Sequence, residues 1–257
     1  MRNSYDEHDD DCIDLSITIG NSLAFFFHLA LALTAALLGD VEKSFDMYWP
    51  ETTFEPSGVA NTVNIEYVGA FPMTILFVAY FAVTALSHFG NVCMWNLHYF
   101  DYLGARMNPL RWIEYSITAP IMTTILAFIA GTRNILFIIA AATLTFSTIS
   151  FGFVVDHTRK TSSLLGGLVP FVVEFSLVIS SLFVTTNCYP SYVPITIFVE
   201  FGLWAIFPLI SFMQLKKLIA YKKGELCFII MSFASKAVLF LVLLIENVLT
   251  DGIQGTC

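Results

Sequence analysis

A single lysine, Lys236, lies in the middle of a long apolar stretch that reads Met-Ser-Phe-Ala-Ser-Lys-Ala-Val-Leu-Phe. An unpaired lysine at the centre of a membrane helix costs about 2.5–3.5 kcal/mol, so this side chain needs either a partner or a chemical role. Two explanations fit the residue type. The amine could form a buried salt bridge that fixes helix packing, or it could form a Schiff base with a carbonyl compound.

The candidate partner of this amine is Glu114, in the apolar sequence Arg-Trp-Ile-Glu-Tyr-Ser-Ile-Thr-Ala-Pro of residues 111–120. A second pattern, Trp204-Ala-Ile-Phe207-Pro208, has the i, i+3, i+4 spacing that places its aromatic rings and its proline on one helix face. Taken alone, that pattern fits a core stripe with a proline kink as well as a ligand pocket.

Four further polar residues lie inside apolar stretches: His28, His88, Glu174 and Glu200. Glu200 precedes Trp204 by four residues and therefore shares its helix face. A carboxyl group deep in a membrane segment is usually protonated and often marks a proton route, although a hydrogen bond to a neighbouring helix backbone explains it equally well. A lone histidine in an apolar segment is often a hydrogen-bonded core residue, so His28 and His88 are only candidates for a functional role.

The composition indicates a membrane protein. The chain is 57% hydrophobic and only 12% charged, against roughly 25% charged residues in soluble domains. The acidic residues that give the net charge of -8 cluster in the first fourteen residues and between Asp40 and Glu66, so nucleic acid is an unsuitable partner. The N-terminus lacks the basic region of a cleavable signal peptide, and we expect the first apolar stretch to be retained.

Seven apolar stretches are long enough to cross a bilayer, which needs about 20 residues per helix. They predict helices over residues 13–38, 67–92, 109–130, 134–155, 164–184, 193–215 and 226–249. We therefore predict an all-α membrane protein that forms a seven-helix bundle as a single domain over residues 1–257. The loop after the first helix contains β-favouring stretches, Thr52–Phe54 and Thr62–Ile65, which predict a small β-hairpin on the membrane surface. Residues 93–108 predict an interfacial segment.

The distribution of Lys and Arg predicts the orientation. Nine of these residues fall on the side of the N-terminus and two, Lys43 and Arg133, on the other. Because basic residues are retained in the cytoplasm, the N-terminus is predicted to be cytoplasmic and the C-terminus extracellular. Glu246 then lies near the outer interface, and Cys188 and Cys257 share the outer side, where they could form a disulfide.

With these residues in place, the chain resembles the microbial rhodopsins, whose third helix carries the pattern Arg-x-x-acid-aromatic-x-x-Thr-x-Pro and whose sixth carries Trp-x-x-aromatic-Pro. The inverted orientation, the long first loop, the sequence Arg-Trp-Ile-Glu-Tyr-Ser and the Ser-x-x-Ser-Lys of residues 232–236 resemble the heliorhodopsins in particular. The chain departs from ordinary microbial rhodopsins at Ser232, where they carry a second acid, and at Ser211, where ion pumps often carry a second aromatic wall. Glu114 alone must therefore keep the Schiff base protonated.

The resemblance implies a lipid-embedded homodimer with all-trans retinal covalently attached to Lys236 and with Glu114 as the counterion. The remaining pocket residues that it implies are Trp204, Phe207, Pro208, Tyr115, Met122, Ser232 and Ser235. It also makes His28 and His88 candidate proton acceptors or relays on the cytoplasmic side of the Schiff base.

We therefore expect a light-activated photoreceptor rather than an enzyme. Glu200 and Glu174 on the outer side and the histidines on the inner side favour light-gated proton conduction. Position 125, where a carboxylic proton donor would lie beyond Glu114, is Ile, so passive conduction is favoured over pumping. The alternatives are a non-transporting light sensor, a ligand-activated seven-helix receptor, and a small transporter that uses Lys236 and Glu114 as a coupling ion pair. The charge bias and the sequence Leu244–Val248, which lacks an Asn-Pro-x-x-Tyr motif, oppose the receptor.

Overall fold

The computed structural model describes residues 4–39, 44–54, 60–184, 190 and 192–245. Within them the chain forms eight α-helices and one β-hairpin. The elements are α1 (Ser4–Leu38), β1 (Ser44–Phe54), β2 (Ala60–Pro72), α2 (Met73–Phe89), α3 (Asn96–Gly104), α4 (Pro109–Ile129), α5 (Ile135–Thr158), α6 (Thr161–Val184), α7 (Tyr192–Leu215) and α8 (Tyr221–Leu244). A π-helical turn, Gly90–Met94, continues α2.

Among the described residues, seven helices are long and apolar enough to cross a membrane, namely α1, α2 and α4 to α8. The predicted seven-helix membrane fold is therefore confirmed, and the chain is a multi-pass membrane protein. Helix α3 has nine residues, fewer than the roughly 20 that a bilayer requires. It lies in the segment for which the sequence predicted an interfacial position.

Three predicted helix starts differ from the structure by five residues or more, and the other described bounds agree within three residues. The second helix begins at Met73 rather than at 67, because residues 67–72 pair with β1 as the end of β2. Helix α1 begins at Ser4 and α8 at Tyr221, earlier than the predicted 13 and 226, because hydropathy does not detect charged residues at the start of a helix that continues into an apolar stretch. The predicted end of the last helix, together with Glu246, Cys188 and Cys257, lies outside the described residues.

The predicted hairpin is confirmed and is longer than the two β-favouring stretches. Its strands are antiparallel, with pairing from Ser44↔Pro72 to Phe54↔Ala60. The hairpin is attached to the α4–α5 end of the bundle, where the Tyr48 amide donates to the Arg133 carbonyl at 2.8 Å. The Phe45 ring stacks on Phe128 at 5.4 Å between centroids.

Helix α4 is the most enclosed of the seven. Of its most apolar 18-residue stretch, 61% is buried inside the protein. The corresponding share is only 22% in α5 and in α6, which therefore lie at the outside of the bundle. Helix α4 packs against α2 and α5, while α8 packs against α1 and α7. Several polar side chains of α4 and α8, among them Glu114, Ser232 and Lys236, are buried in the interior, where they need partners.

Candidate functional site

The amine of Lys236 on α8 meets the carboxylate of Glu114 on α4 in the interior of the bundle. Lys236 Nζ lies 3.5 Å from Glu114 Oε1, and it donates a hydrogen bond to Ser232 Oγ at 2.6 Å. Ser232 lies one turn before Lys236, toward the N-terminus of α8, which is the direction in which helical side chains lean. All three residues are buried, so the amine is shielded from water.

A cavity extends from this amine across the bundle. Its empty volume is about 930 Å³, including space at its open side. Its lining is mostly apolar and comes from the five helices α4 to α8, with Tyr80 of α2 in addition. The lining residues include Trp112, Tyr115, Met122, Thr145, Gly152, Glu174, Trp204, Phe207, Pro208, Ser211, Ser232, Ser235 and Lys236. A primary amine at the wall of a mostly apolar cavity suits an aldehyde with a hydrophobic chain.

The two sequence patterns contribute adjacent walls of this cavity. Trp204, Phe207 and Pro208 of α7 all line it, as the i, i+3, i+4 spacing requires. The Tyr115 ring meets the Phe207 ring edge-on, with centroids 5.7 Å apart. Ser211, one turn beyond Phe207, also lines the cavity, so that position has a hydroxyl where an aromatic ring would narrow the space.

Glu200 lies next to the lysine rather than in the cavity lining. It is fully buried, and Ser235 Oγ donates to its Oε2 at 2.6 Å. Ser235 directly precedes Lys236, so the Glu200 carboxyl is hydrogen-bonded to the residue next to the lysine. Its other oxygen, Oε1, has no hydrogen-bond partner among the residues described. Glu200 is thus an available proton site close to Lys236.

Glu174 occupies a different wall. Thr123 Oγ1 donates to Glu174 Oε1 at 2.8 Å, and the Thr123 and Thr145 hydroxyls are 2.7 Å apart. These bonds connect α6 with α4 and α5, and they involve side chains rather than the helix backbone that the sequence analysis considered. Glu174 lines the cavity, but its hydrogen bonds do not lead to Glu200.

The two intramembrane histidines form a stacked pair beside α8. The imidazole rings of His28 and His88 are 5.5 Å apart and only 8° from parallel. Phe233, one turn before Lys236, meets His28 edge-on at 6.3 Å. Neither histidine is among the residues that line the cavity. The pair therefore lies outside the cavity, between α1 and α2.

A buried group that was not predicted from the sequence, and that we call the inner polar cluster, consists of Asn108, Arg111, Asp156, Tyr221 and Glu225. The Arg111 guanidinium donates to Glu225 and, at 3.2 Å, to Asp156 Oδ2. Tyr221 donates to Asp156 Oδ2 at 2.8 Å, and Asn108 Nδ2 donates to Glu225 Oε1 at 2.7 Å. The two carboxylates therefore share one arginine.

One signal in the sequence could have indicated this cluster. Asp156 follows the fourth predicted helix, and Arg111 and Glu225 lie at the starts of the third and seventh, all on one predicted face of the membrane. Buried charges are rarely unpaired. A search for opposite charges at helix ends on the same face would have suggested the contact.

The fold agrees with solved microbial rhodopsins. The light-driven proton pumping rhodopsin AR2 from Acetabularia acetabulum has a TM-score of 0.68 at 14% identity, over 90% of this chain and 93% of that chain. The light-driven proton pump from Leptosphaeria maculans has a TM-score of 0.66 at 12% identity, over 90% and 95%. The transmembrane domain of the Salpingoeca rosetta rhodopsin phosphodiesterase has a TM-score of 0.64 at 12% identity, over 95% and 88%. At these identities the likeness shows the fold alone.

Sequence comparison identifies the family. No functionally curated protein shows significant similarity to the chain. The family model for heliorhodopsins, however, matches residues 17–246, which include both histidines, the Lys236–Glu114 pair and the walls of the cavity. The chain therefore belongs to the heliorhodopsin family.

Proposed function

We propose that this protein is a light-activated membrane photoreceptor that binds all-trans retinal covalently through Lys236. The observation that carries the proposal is the position of the Lys236 amine, which is buried at one wall of an apolar cavity with the Glu114 carboxylate 3.5 Å away. Family membership supports retinal as the occupant. The bound retinal would supply light absorption and an isomerisable double bond.

The surrounding residues have distinct roles in this proposal. Glu114 supplies the negative charge that holds a proton on the Lys236 nitrogen. Ser232 accepts a hydrogen bond from the same nitrogen and thereby orients it. Tyr115, Trp204, Phe207 and Pro208, together with Met122, form walls that exclude water and restrict the chromophore.

We further propose light-gated, passive proton conduction. With the cytoplasmic N-terminus that the charge bias predicts, α8 runs outward and the inner polar cluster lies at the cytoplasmic end. Glu200, linked to the Lys236 position through Ser235, is then the proton site of the outer half. The histidine pair is the proton site of the inner half. Glu174, which bonds to threonines away from this line, has the weaker support as a path residue.

A non-transporting light sensor is the second candidate function. The observation that favours it is the termination of the inner route: His88 Nδ1 lies 2.8 Å from the amide oxygen of Asn21, and an amide does not readily pass a proton on. A proton that reached the histidines in this state would return to the site rather than leave the protein. The homodimer that the family resemblance implies would transmit the resulting movement.

Reconstitution tests the photoreceptor assignment. All-trans retinal added to the purified apoprotein should produce a visible absorption band, and Lys236→Ala should abolish it. The matched control is Lys222→Ala, which removes a lysine that is paired with Asp14 near the membrane surface and should leave the band intact. A band that persists in Lys236→Ala would contradict the assignment. Absence of any band would instead favour the transporter alternative.

Voltage clamp tests the conduction proposal. Light should evoke a current whose reversal potential follows the proton gradient, and Glu200→Gln should suppress that current while the pigment still forms. Glu174→Gln is the comparison variant, since its hydrogen bonds lead away from Glu200. If no current flows, or if Glu200→Gln conducts normally, passive conduction through Glu200 is wrong and the sensor remains.

A further inference from the structure

The side-chain amide of Asn21, on α1, stands between the histidine pair and the inner polar cluster. Asn21 Nδ2 lies 3.0 Å from the Ile17 carbonyl and 3.3 Å from the Tyr99 hydroxyl. Asn21 Oδ1 lies 2.8 Å from His88 Nδ1 and 3.1 Å from Asn91 Nδ2. Asn21 is 1% exposed, so these four contacts satisfy a buried amide completely.

The chemistry of the partners fixes the direction of each bond. The Ile17 carbonyl only accepts, so the NH₂ of Asn21 faces it and Oδ1 faces His88. His88 Nδ1 must then carry the hydrogen. His28 Nδ1 lies 2.6 Å from the Ala24 carbonyl and must likewise be the donor. In both neutral rings Nε2 is the atom with a free lone pair, and neither Nε2 has a hydrogen-bond partner among the described residues. A proton that arrives from the Lys236 side is therefore received at Nε2.

The hydrogen bonds continue beyond Asn21 in the same direction. The Tyr99 hydroxyl, on α3, donates to Glu225 Oε1 at 3.1 Å. Burial, with Glu225 close by, raises the pKa of Tyr99 well above its ordinary value, so the phenol keeps its hydrogen. Donors thus point from His88 to Asn21, from Asn21 to Tyr99 and from Tyr99 to Glu225.

One member of this chain differs chemically from the rest. A histidine, a phenol and a carboxylic acid can each accept one proton while releasing another, whereas a carboxamide carries fixed N–H donors and a weakly basic oxygen. To pass a proton from His88 to Tyr99, Asn21 would have to become an imidic acid. The hydrogen-bonded chain is continuous, but proton transfer along it stops at Asn21.

We propose that Asn21 is the inner gate of the proton path. This inference rests on the proposed function, in which light moves a proton from Lys236 toward the histidines. On one side of the gate are His28 and His88, together with Lys236 and Glu114. On the other side are Tyr99 and the inner polar cluster, in which Arg111 is paired with Asp156 and Glu225. The intact amide confines the proton to the first group.

Opening the gate requires that the amide leaves its position. The bond to Tyr99, at 3.3 Å, is the longest of the four that hold Asn21, and it joins two different elements, α1 and α3. Helix α3 is connected to the π-helical turn, where the Trp95 indole donates to Asn91 Oδ1 at 3.0 Å. A small shift of α1 relative to α3 would therefore break the Tyr99 bond first and admit water between His88 and Tyr99.

Two carboxylate substitutions separate this role from a general effect of charge. Asn21→Asp places a titratable group in the gate itself, whereas Asn91→Asp places the same group at a direct neighbour of Asn21 but outside the line from His88 to Tyr99. In flash photolysis of the pigments, Asn21→Asp should make reprotonation of the Lys236 nitrogen about tenfold faster and dependent on cytoplasmic pH. Asn91→Asp should leave this rate within about twofold of wild type.

Asn21→Ser provides a second test that does not introduce a charge, because a hydroxyl can both accept and donate a proton. It should also accelerate reprotonation, and adding Tyr99→Phe should remove the gain in either background. Equal rates in wild type, Asn21→Asp and Asn21→Ser would overturn the proposal. So would equal acceleration by Asn91→Asp.

A measurement on the apoprotein keeps the gate testable without a chromophore. In ¹⁵N-histidine-labelled protein, the His88 Nδ1 proton should exchange slowly with water in wild type and at least about tenfold faster in Asn21→Asp and Asn21→Ser. Fast exchange in wild type would contradict a closed gate. A wild type without photocurrent combined with a conducting Asn21→Asp would support the gate and refute passive conduction in the natural protein.

Discussion

Ser235 Oγ donates to Glu200 Oε2 at 2.6 Å, and this bond ties a buried carboxyl of α7 to the residue that precedes Lys236 on α8. The Sδ atom of Met122 is 3.4 Å from the same hydroxyl. A displacement of the Lys236 backbone therefore acts on Glu200 directly. Ser235 thus connects Glu200 on α7 with the Lys236 position on α8 through one hydrogen bond.

Ser235→Ala should weaken this link without removing either charge. A net hydrogen bond is worth about 1 kcal/mol, so we expect the Glu200-dependent proton transfer to change by roughly fivefold. The measurement is the rise time of the photocurrent, with the absorption band as a check that the pigment forms. Ser235→Thr retains the hydroxyl and should behave as wild type. An unchanged rise time in Ser235→Ala would show that the bond plays no part in conduction.

Glu114→Gln should change the colour of the pigment. Without the negative charge 3.5 Å from the amine, the protonated nitrogen loses its main stabilising partner. We expect the visible band to weaken at neutral pH in favour of a near-ultraviolet band from the unprotonated imine, with the residual visible band at longer wavelength. Glu114→Asp keeps the charge and should retain the visible band. A normal spectrum in Glu114→Gln would assign the counterion role to another residue.

A methyl group at Gly152 should disturb the cavity wall. A Cβ atom there would lie 2.2 Å from the Trp112 ring, whereas one at Gly202 would meet nothing within 4 Å. Overpacking costs about 1–3 kcal/mol, so Gly152→Ala should lower the melting temperature of the pigment. Gly202→Ala should preserve or raise it, since Ala favours the helix by about 1 kcal/mol over Gly. The two substitutions add the same atoms, and equal melting temperatures would mean that Trp112 yields at no cost.

Arg111→Met should destabilise the end of the bundle at which α4 and α8 begin. It leaves two buried carboxylates, Asp156 and Glu225, without their shared cation, and breaking a buried pair in this way costs about 3–5 kcal/mol. Arg159→Met is the control, because Arg159 makes a longer contact of 3.9 Å to Asp156 and is 33% exposed. Its loss should cost under about 1 kcal/mol. Unfolding in mixed micelles measures both, and similar losses would show that the cluster is not held by Arg111.

Hydropathy was sufficient to predict the seven helices, and the β-favouring residues of the first loop were sufficient to predict the hairpin, because each depends on the residues of one segment. They did not locate the start of α2, since residues 67–72 are apolar enough for a helix and only their pairing with β1 makes them a strand. Lys236 and Glu114 were recognised as a pair because a charge inside an apolar helix demands a partner.

The remaining contacts depend on how helices are placed against one another. Asn21 and Tyr99 are 78 positions apart in the sequence, and an asparagine in an apolar segment gives no sign of which group it will meet. The spacing placed Glu200 on the face of Trp204, but it did not indicate the hydrogen-bond partner of either Glu200 or Glu174. The structure bonds Glu174 to Thr123 of α4 and Glu200 to Ser235 of α8. The role of each carboxyl follows from these contacts, which a single sequence does not encode locally.

Covalent attachment at Lys236 is the central claim, and mass spectrometry of the reduced pigment tests it most directly. Borohydride converts a Schiff base to a stable amine, so digestion of the reduced, retinal-treated protein should yield one modified peptide with the added retinyl mass on Lys236. Lys222 and Lys223, also on α8, serve as internal controls and should be unmodified. A retinyl group on another lysine, or no adduct in a protein that absorbs visible light, would contradict the assignment.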